Sequence, residues 1–340
     1  MQKIGLPALA LALLATASTP FPTSAATFQE DFSADPATRG WQVFGDTNLF
    51  QWNATNQYLQ VTWDSSQPNS YFAHPLPFTL TDQDYFSLAF DLHLNDFASG
   101  VDLALPYPFE LAVGFLNLAE AAQPDFYRGA YPGPTDLVEF DFFPDNDNDS
   151  WDDWTFGPSL YATVIDSTGW DYFFGGYGGW SLDTNNVFHV VLSYGATNQT
   201  LHTTITVNGQ PVDPVEDAWG GAGFGGFFVD HLAVCSYSQN GQTPGLAPDA
   251  YPGSLLAHGW VDDFVLNVYT APLAGQFVAG TWQAQFLSVT NRLYTLERST
   301  DLQTWSAVGP AAAGTGANLL VLDPAPPPGR AFYRVQARAQ

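Results

Sequence analysis

The densest chemistry in this 340-residue sequence lies in one run, Val138-Glu139-Phe140-Asp141-Phe142-Phe143-Pro144-Asp145-Asn146-Asp147-Asn148-Asp149. A strand over Leu137–Phe143 alternates its side chains, so Phe140 and Phe142 face one way and Glu139 and Asp141 the other. The two carboxyl groups then stand about 7 Å apart along the strand. They coexist when hydrated, when one takes a proton, or when a cation sits between them. With Asp145, Asp147 and Asp149 the run offers an all-oxygen donor set of the kind that suits calcium, which takes about 6–8 oxygens. The spacing is not that of an EF-hand. Counting from Asp145, Ser150 stands where glycine is needed and Phe156 where glutamate is needed. The alternative without a ligand is a solvated acidic turn whose Asp and Asn side chains satisfy backbone donors.

A second kind of chemistry, stacking against a sugar ring, needs aromatic faces beside polar groups. Trp151, Trp154, Trp170, Tyr172, Tyr177 and Trp180 lie in stretches rich in Asp and Gly. They are the candidate ligand platform, against the plainer reading that a long loop folds its own rings onto the core. Other sites are absent from the sequence. The six histidines have no ligand spacing, and no serine or cysteine sits in a nucleophile elbow. Gly220–Gly226 lacks a phosphate-binding pattern and reads as a loop. The one cysteine, Cys235, lies in an apolar run and reads as a buried small hydrophobe, which excludes an intrachain disulfide. Asp31, Asp262 and Asp263 stand at opposite ends of the first domain, and paired terminal strands would bring them together at a second cation site.

The elements that must position these groups are strands. Phe86, Leu88, Phe90, Leu92 and Leu94 alternate with Ser87, Asp91 and His93. Val187–Tyr194 and Thr200–Val207 flank a polar turn, as do Phe50–Trp52 and Leu59–Trp63. Further strands are expected over Glu110–Leu116, Leu160–Asp166, His231–Tyr237 and Trp260–Tyr269. No helix is expected. Many short strands between turn signals imply an all-β chain, an antiparallel jelly-roll sandwich. Thr270–Gly275 reads as a linker. Beyond it Phe277–Phe286, Tyr294–Ser299, Leu319–Leu322 and Phe332–Val335 make a small second β-sandwich.

Residues 1–26 read as a secretory signal, with Lys3 ahead of the apolar Leu6–Ala17 and a small-residue Ser24-Ala25-Ala26 site. Residues 27–269 form the first domain, 270–275 the linker and 276–340 the C-terminal module. The chain carries 34 acidic residues against 8 basic ones, a net charge of -26. Between residues 27 and 275 the only basic side chains besides histidine are Arg39 and Arg128; residues 276–340 hold the other five arginines. Such a surface repels nucleic acid and anionic lipid and suits divalent cations and neutral ligands. No segment is a comfortable membrane span, so a secreted or cell-surface location is expected.

The opening Phe28-Gln29-Glu30-Asp31-Phe32-Ser33 with Gly40-Trp41, the middle Asn186–Tyr194 leading to Ile205-Thr206-Val207-Asn208-Gly209, and the closing Gly259–Leu266 together resemble the concanavalin-A-like lectin/glucanase superfamily. The resemblance spans Thr27 to Tyr269 and implies a polysaccharide or glycan partner. Val138-Glu139-Phe140-Asp141 resembles the legume-lectin strand that runs into a metal loop, which implies metal ligands at Glu139, Asp141, Asp145 and Asp149. No histidine follows within the loop, so the transition-metal half of that site is incomplete. Laminarinase-type glycosidases share the same strand as Glu-x-Asp-x-Glu or Glu-x-Asp-x-x-Glu. Here Glu139 and Asp141 match, but Phe143 or Pro144 replaces the second glutamate, which leaves the leaving group without its acid. Tyr294–Trp305 and Phe332–Val335 resemble a fibronectin-III-like module of the kind found in exported verrucomicrobial-type proteins, which implies surface retention. The expectation is a non-catalytic, lectin-like, calcium-stabilised carbohydrate-binding or adhesion protein. A laminarinase-like hydrolase and a structural cell-surface protein are the alternatives.

Overall fold

The computed structural model describes residues 28–98, 111–123, 126, 128, 136–143, 159–169, 171–172, 181–221, 223–237, 255–269, 275–288, 292–302, 304–315 and 317–339. The first fifteen strands are β1 (Phe28–Glu30), β2 (Gln42–Phe44), β3 (Phe50–Asn53), β4 (Tyr58–Asp64), β5 (Ser70–Thr81), β6 (Tyr85–Ala98), β7 (Leu111–Leu116), β8 (Leu137–Phe143), β9 (Ser159–Ile165), β10 (Asp171–Tyr172), β11 (Phe188–Gly195), β12 (Thr200–Val207), β13 (Gln210–Trp219), β14 (Phe228–Ser236) and β15 (Leu256–Tyr269). They form two antiparallel sheets. One runs β13-β12-β11-β6-β15-β4-β3, with β1 added to β15, and the other runs β10-β9-β8-β7-β14-β5-β2. Distant strands become neighbours, as where β14 lies between β7 and β5, which is the long-crossover connectivity of a jelly roll.

The alternation read from the sequence places the core. Phe86, Leu88, Phe90, Leu92 and Leu94 of β6 are all buried and meet Val138, Phe140 and Phe142 of β8 in one cluster between the sheets. Phe90 and Phe140 pack edge to face with centroids 5.9 Å apart. The second sheet carries a further apolar layer on its other face, including Tyr71, Ala112, Phe126, Leu137, Cys235 and Tyr237. Cys235 is a buried free thiol there, as expected.

The chain ends of this unit are fastened by a carboxylate. β1 pairs with β15, Glu30 opposite Phe264. Buried Glu30 accepts from the Phe32 amide at 2.8 Å, from Arg39 at 2.6 Å and from Trp41 Nε1 at 2.9 Å. Those bonds hold Phe32 in a left-handed conformation, φ 45°, with its ring fully buried.

Two expectations need correction. One turn of α-helix, Leu118–Ala121, lies between β7 and β8, and two short 3-10 turns, Pro36–Arg39 and Thr47–Leu49, are each started by an aspartate, Asp35 or Asp46, whose side chain accepts from the amide two residues on. The single strand expected over Phe277–Phe286 is a hairpin. β16 (Gly275–Val278) and β17 (Thr281–Leu287) join through Ala279 and Gly280, both at positive φ (51° and 84°), which is two-residue turn chemistry. The remaining strands are β18 (Arg292–Ser299), β19 (Ser306–Ala307), β20 (Ala312–Ala313), β21 (Asn318–Asp323) and β22 (Phe332–Ala339). β16-β17-β21 form one small sheet, and β18 with β19, β20 and β22 the other. Trp282, Ala284, Tyr294, Leu296, Val321 and Val335 make their own apolar cluster.

Gly114 on β7 lies opposite Glu139. A Cβ at Gly114 would come within 2.2 Å of the Val138 carbonyl oxygen and 2.7 Å of the Glu139 Cα. Gly114→Ala should therefore force β7 and β8 apart and lower stability by about 1–3 kcal/mol. An unfolding midpoint in denaturant equal to that of the parent would show that the close approach is not needed.

Candidate functional site

β8 delivers Glu139 and Asp141 to one face, as the alternation requires, and that face is the one turned away from the sheet-to-sheet core. Neither residue reaches solvent: both are 0% exposed. A lid closes over them. Arg128, from the segment between Ala121 and β8, places its Nη2 2.9 Å from Asp141 Oδ2 and its Nε 3.6 Å from Glu139 Oε2. Tyr237, just beyond β14, donates its hydroxyl to Glu139 Oε1. Tyr71 of β5 packs edge to face on Tyr237 at 5.9 Å and on Phe126 at 6.5 Å. Its own hydroxyl donates to the Ala121 carbonyl. Thr163 of β9 lies directly across from Glu139 and also bonds to Asp141.

Two carboxyls and one guanidinium in a water-free space cannot all be charged cheaply. Burial, then the neighbouring Asp141, push the Glu139 carboxyl up to about 8, against the pull of Arg128 and Tyr237. Burial also raises Asp141, opposed first by Arg128. The arrangement that balances is an Asp141 carboxylate paired with Arg128 beside a protonated Glu139. Among the described residues no other donor reaches Glu139 Oε2 or Asp141 Oδ1, and the two carboxyl groups bond to each other.

This geometry bears directly on the chemistry expected from the sequence. A glycosidase acid must meet the substrate oxygen, and Glu139 is sealed beneath aromatic rings. A hard cation would find oxygen donors in Glu139 and Asp141 at the head of an Asp-rich segment, but there it would have to displace the Glu139 proton and the Arg128 guanidinium. Asp145, Asp147 and Asp149 lie outside the described residues. So do Trp151, Trp154, Trp170, Tyr177 and Trp180, and of Tyr172 only its place in β10 is described. Among the described residues no group of three or more His, Cys, Asp or Glu is placed to hold a metal.

The terminal strands bring the chain-end aspartates within electrostatic reach of one another but, among the described residues, not into a cation-holding group. Asp31, Asp262 and Asp263 interact electrostatically, and burial, then Asp263 and Asp91, push Asp262 up to about 7. Arg39 and Ser33 occupy the Asp31 carboxylate, at 2.8 and 2.7 Å, and hold it far below the usual range.

Sequence reasoning missed three groups. Arg128 had a legible signal, being one of two arginines between residues 27 and 275. Tyr237 had none. The third is an aromatic row on the outer face of the first sheet. Trp260 of β15 lies between Tyr58 of β4 (5.2 Å) and His93 of β6 (5.4 Å), both rings stacked on it. On the same face His189 meets Asp91 and His258 meets Asp96, each at 2.7 Å. These two histidines, scattered in sequence, are thus partnered by pairing across strands.

No family model matches the sequence, and no curated protein matches it. Among solved structures the chain is similar to peanut lectin, at 12% identity over 72% of this chain and 98% of that one, with a TM-score of 0.46. It is similar to the seed lectin of Lotus tetragonolobus, at 11% identity over 72% and 99%, with a TM-score of 0.46. It is also similar to a legume lectin-like domain from Entamoeba histolytica, at 11% identity over 74% and 100%, with a TM-score of 0.40. All three likenesses are distant.

The buried pair has a pH signature. Glu139 holds its proton up to about pH 8 in the fold, against 4.5 for an ordinary glutamate. A raised folded-state value contributes stability that is complete below 4.5 and lost as pH rises through 8. The thermal midpoint should fall across that window, and Glu139→Gln, a permanent mimic of the protonated form, should flatten the fall. A parallel pH profile in the variant would sink this assignment. Arg128→Met strands a buried charge and should cost about 3–5 kcal/mol where Asp141 stays ionised, measured by denaturant unfolding at pH 8.

Proposed function

We propose that this chain is an exported, non-catalytic carbohydrate-binding or adhesion protein. Residues 1–26 act as its signal, 27–269 as the binding domain and 276–340 as a cell-envelope retention module. The observation that carries the non-catalytic reading is the burial of Glu139 and Asp141 under Arg128 and Tyr237. The one carboxyl pair with a glycosidase-like spacing has no face on which a glycosidic oxygen could rest. A glycan as ligand of residues 27–269 is supported by the jelly-roll architecture, by 31 acids against two arginines between residues 27 and 275, which disfavour polyanions there, and by the aromatic side chains set among polar groups. No helix among the described residues is long and apolar enough to cross a membrane.

Calcium belongs to the same reading. Glu139, Asp141, Asp145, Asp147 and Asp149 would hold it, and bound there it would supply charge compensation and rigidity to the loop after β8. Proton and cation would compete for the same two carboxyls, so affinity should rise with pH until the pair is ionised.

A polysaccharide array probed with and without chelator tests the whole. Binding to at least one glycan is expected, with no reducing ends released; sugar release that Glu139→Gln abolishes would reverse the assignment to a hydrolase. A fixed calcium concentration, a hundred times the dissociation constant at pH 8, should stabilise the fold by about 2.7 kcal/mol there and by less at pH 6, where the affinity is lower. A melting temperature indifferent to millimolar calcium and to chelator removes the cation.

A further inference from the structure

The C-terminal residues differ in charge from everything before them: five arginines face three acidic residues after position 275. Arg298 is spent internally, on Asp323 at 2.8 Å, where Tyr333 donates to the same carboxylate oxygen. Arg330 and Arg334 are used differently. Across the β18–β22 pair Arg334 lies opposite Glu297, while Val335 lies opposite Leu296 in the apolar cluster. Arg334 therefore stands on the outer face of its sheet, as does Phe332, two residues away and about 7 Å along the strand. The Arg334 guanidinium lies 4.3 Å from the centre of the Trp305 ring. The Arg330 guanidinium lies 4.5 Å from the centre of the Phe332 ring. Arg330 is exposed, and the Arg334 side chain remains 38% exposed. Its bond to Glu297, at 2.6 Å, uses Nε rather than the terminal nitrogens.

A guanidinium laid on an aromatic face loses hydration and rotamer freedom in advance but keeps its in-plane N–H donors. Those donors match a carboxylate edge to edge, two bonds at a time. Two such groups, Arg334 on β22 and Arg330 two residues before its start, each beside an aromatic ring, suit a chain that repeats a carboxylate on a sugar ring. We propose that the outer face formed by Arg330, Phe332, Arg334 and Trp305 binds carboxylate-bearing polysaccharide. The acidic remainder of the protein does not forbid this: β22 packs against β5, whose residues Ser70–Thr81 carry no acid, and charges farther off are screened beyond about 8 Å at physiological salt. The inference rests on reading residues 276–340 as the retention module, and it names that module's ligand class.

The test titrates the full-length protein with polygalacturonate, with neutral dextran as control, in 0.05 M and 0.5 M salt. Polygalacturonate should bind and dextran should not bind at this face, and salt should weaken the complex. Arg330→Gln, which breaks no ion pair, should reduce affinity about tenfold, the worth of one charge-assisted contact, at an unchanged melting temperature. Arg334→Lys, which keeps the charge without the planar fork, should also weaken binding. Absence of polygalacturonate binding at low salt overturns the proposal, and so does binding that ignores both substitutions. Retention of the full-length protein on isolated cell envelopes is scored separately. Polygalacturonate binding without envelope retention sinks only the retention reading, whereas retention unaffected by Arg330→Gln and Arg334→Lys sinks only this one.

Discussion

Two carboxyl groups, Glu139 and Asp141, sit where water does not reach them, with a single guanidinium to offset them. Much of the second sheet is arranged around that constraint. Gly114 gives up its side chain so that β7 can run close to β8 beside Glu139. Tyr71, Phe126 and Tyr237 roof the pair with rings, and Tyr237 turns its hydroxyl inward to donate. The chain between β7 and β8 turns through the short helix Leu118–Ala121, and Arg128 in that segment reaches the pair. A buried ion pair of this kind adds little net stability, but removing one member is costly, so it specifies one arrangement of the lid.

The same economy governs the other end of the domain. Only two arginines serve the whole span from residue 27 to 275, and each is committed to a buried carboxylate. Arg128 holds Asp141, and Arg39 holds Glu30 together with Asp31. Among the described residues the other carboxylates in that span rely on water, on backbone donors, on hydroxyl or amide side chains, as Asp136 does on Ser167, or on histidine. The His189–Asp91 and His258–Asp96 pairs on the outer face of the first sheet are examples of the last. The large negative charge is thus a surface property, while each buried acid has an assigned partner.

The C-terminal strands reverse the balance. There arginines outnumber acids, and the aromatic rings pack against guanidinium groups as well as against each other, as Trp282 does on Tyr333 at 3.8 Å. The two regions therefore present different chemistry, one acidic and aromatic, the other cationic and aromatic.

Periodicity alone determined that Phe86 to Leu94 form one face, that Phe140 and Phe142 turn into the core, and that Glu139 and Asp141 share the opposite side. The side-chain alternation of a strand is a local property, so the sequence carries it in full. The missing second glutamate was equally legible, because it depends only on which residue follows at a fixed spacing. What the opposite side of β8 faces was not legible. Whether a carboxyl pair lies open in a groove or sealed beneath rings depends on residues 11 to 98 positions away, Arg128 and Tyr237 among them. The hairpin at Ala279-Gly280 escaped for a smaller reason: alanine is not a turn residue, and only strand pairing holds it at positive φ. The histidines followed the same rule. In sequence they have no spacing, and only the register of β6 against β11 and β15 gives His189 and His258 their aspartates.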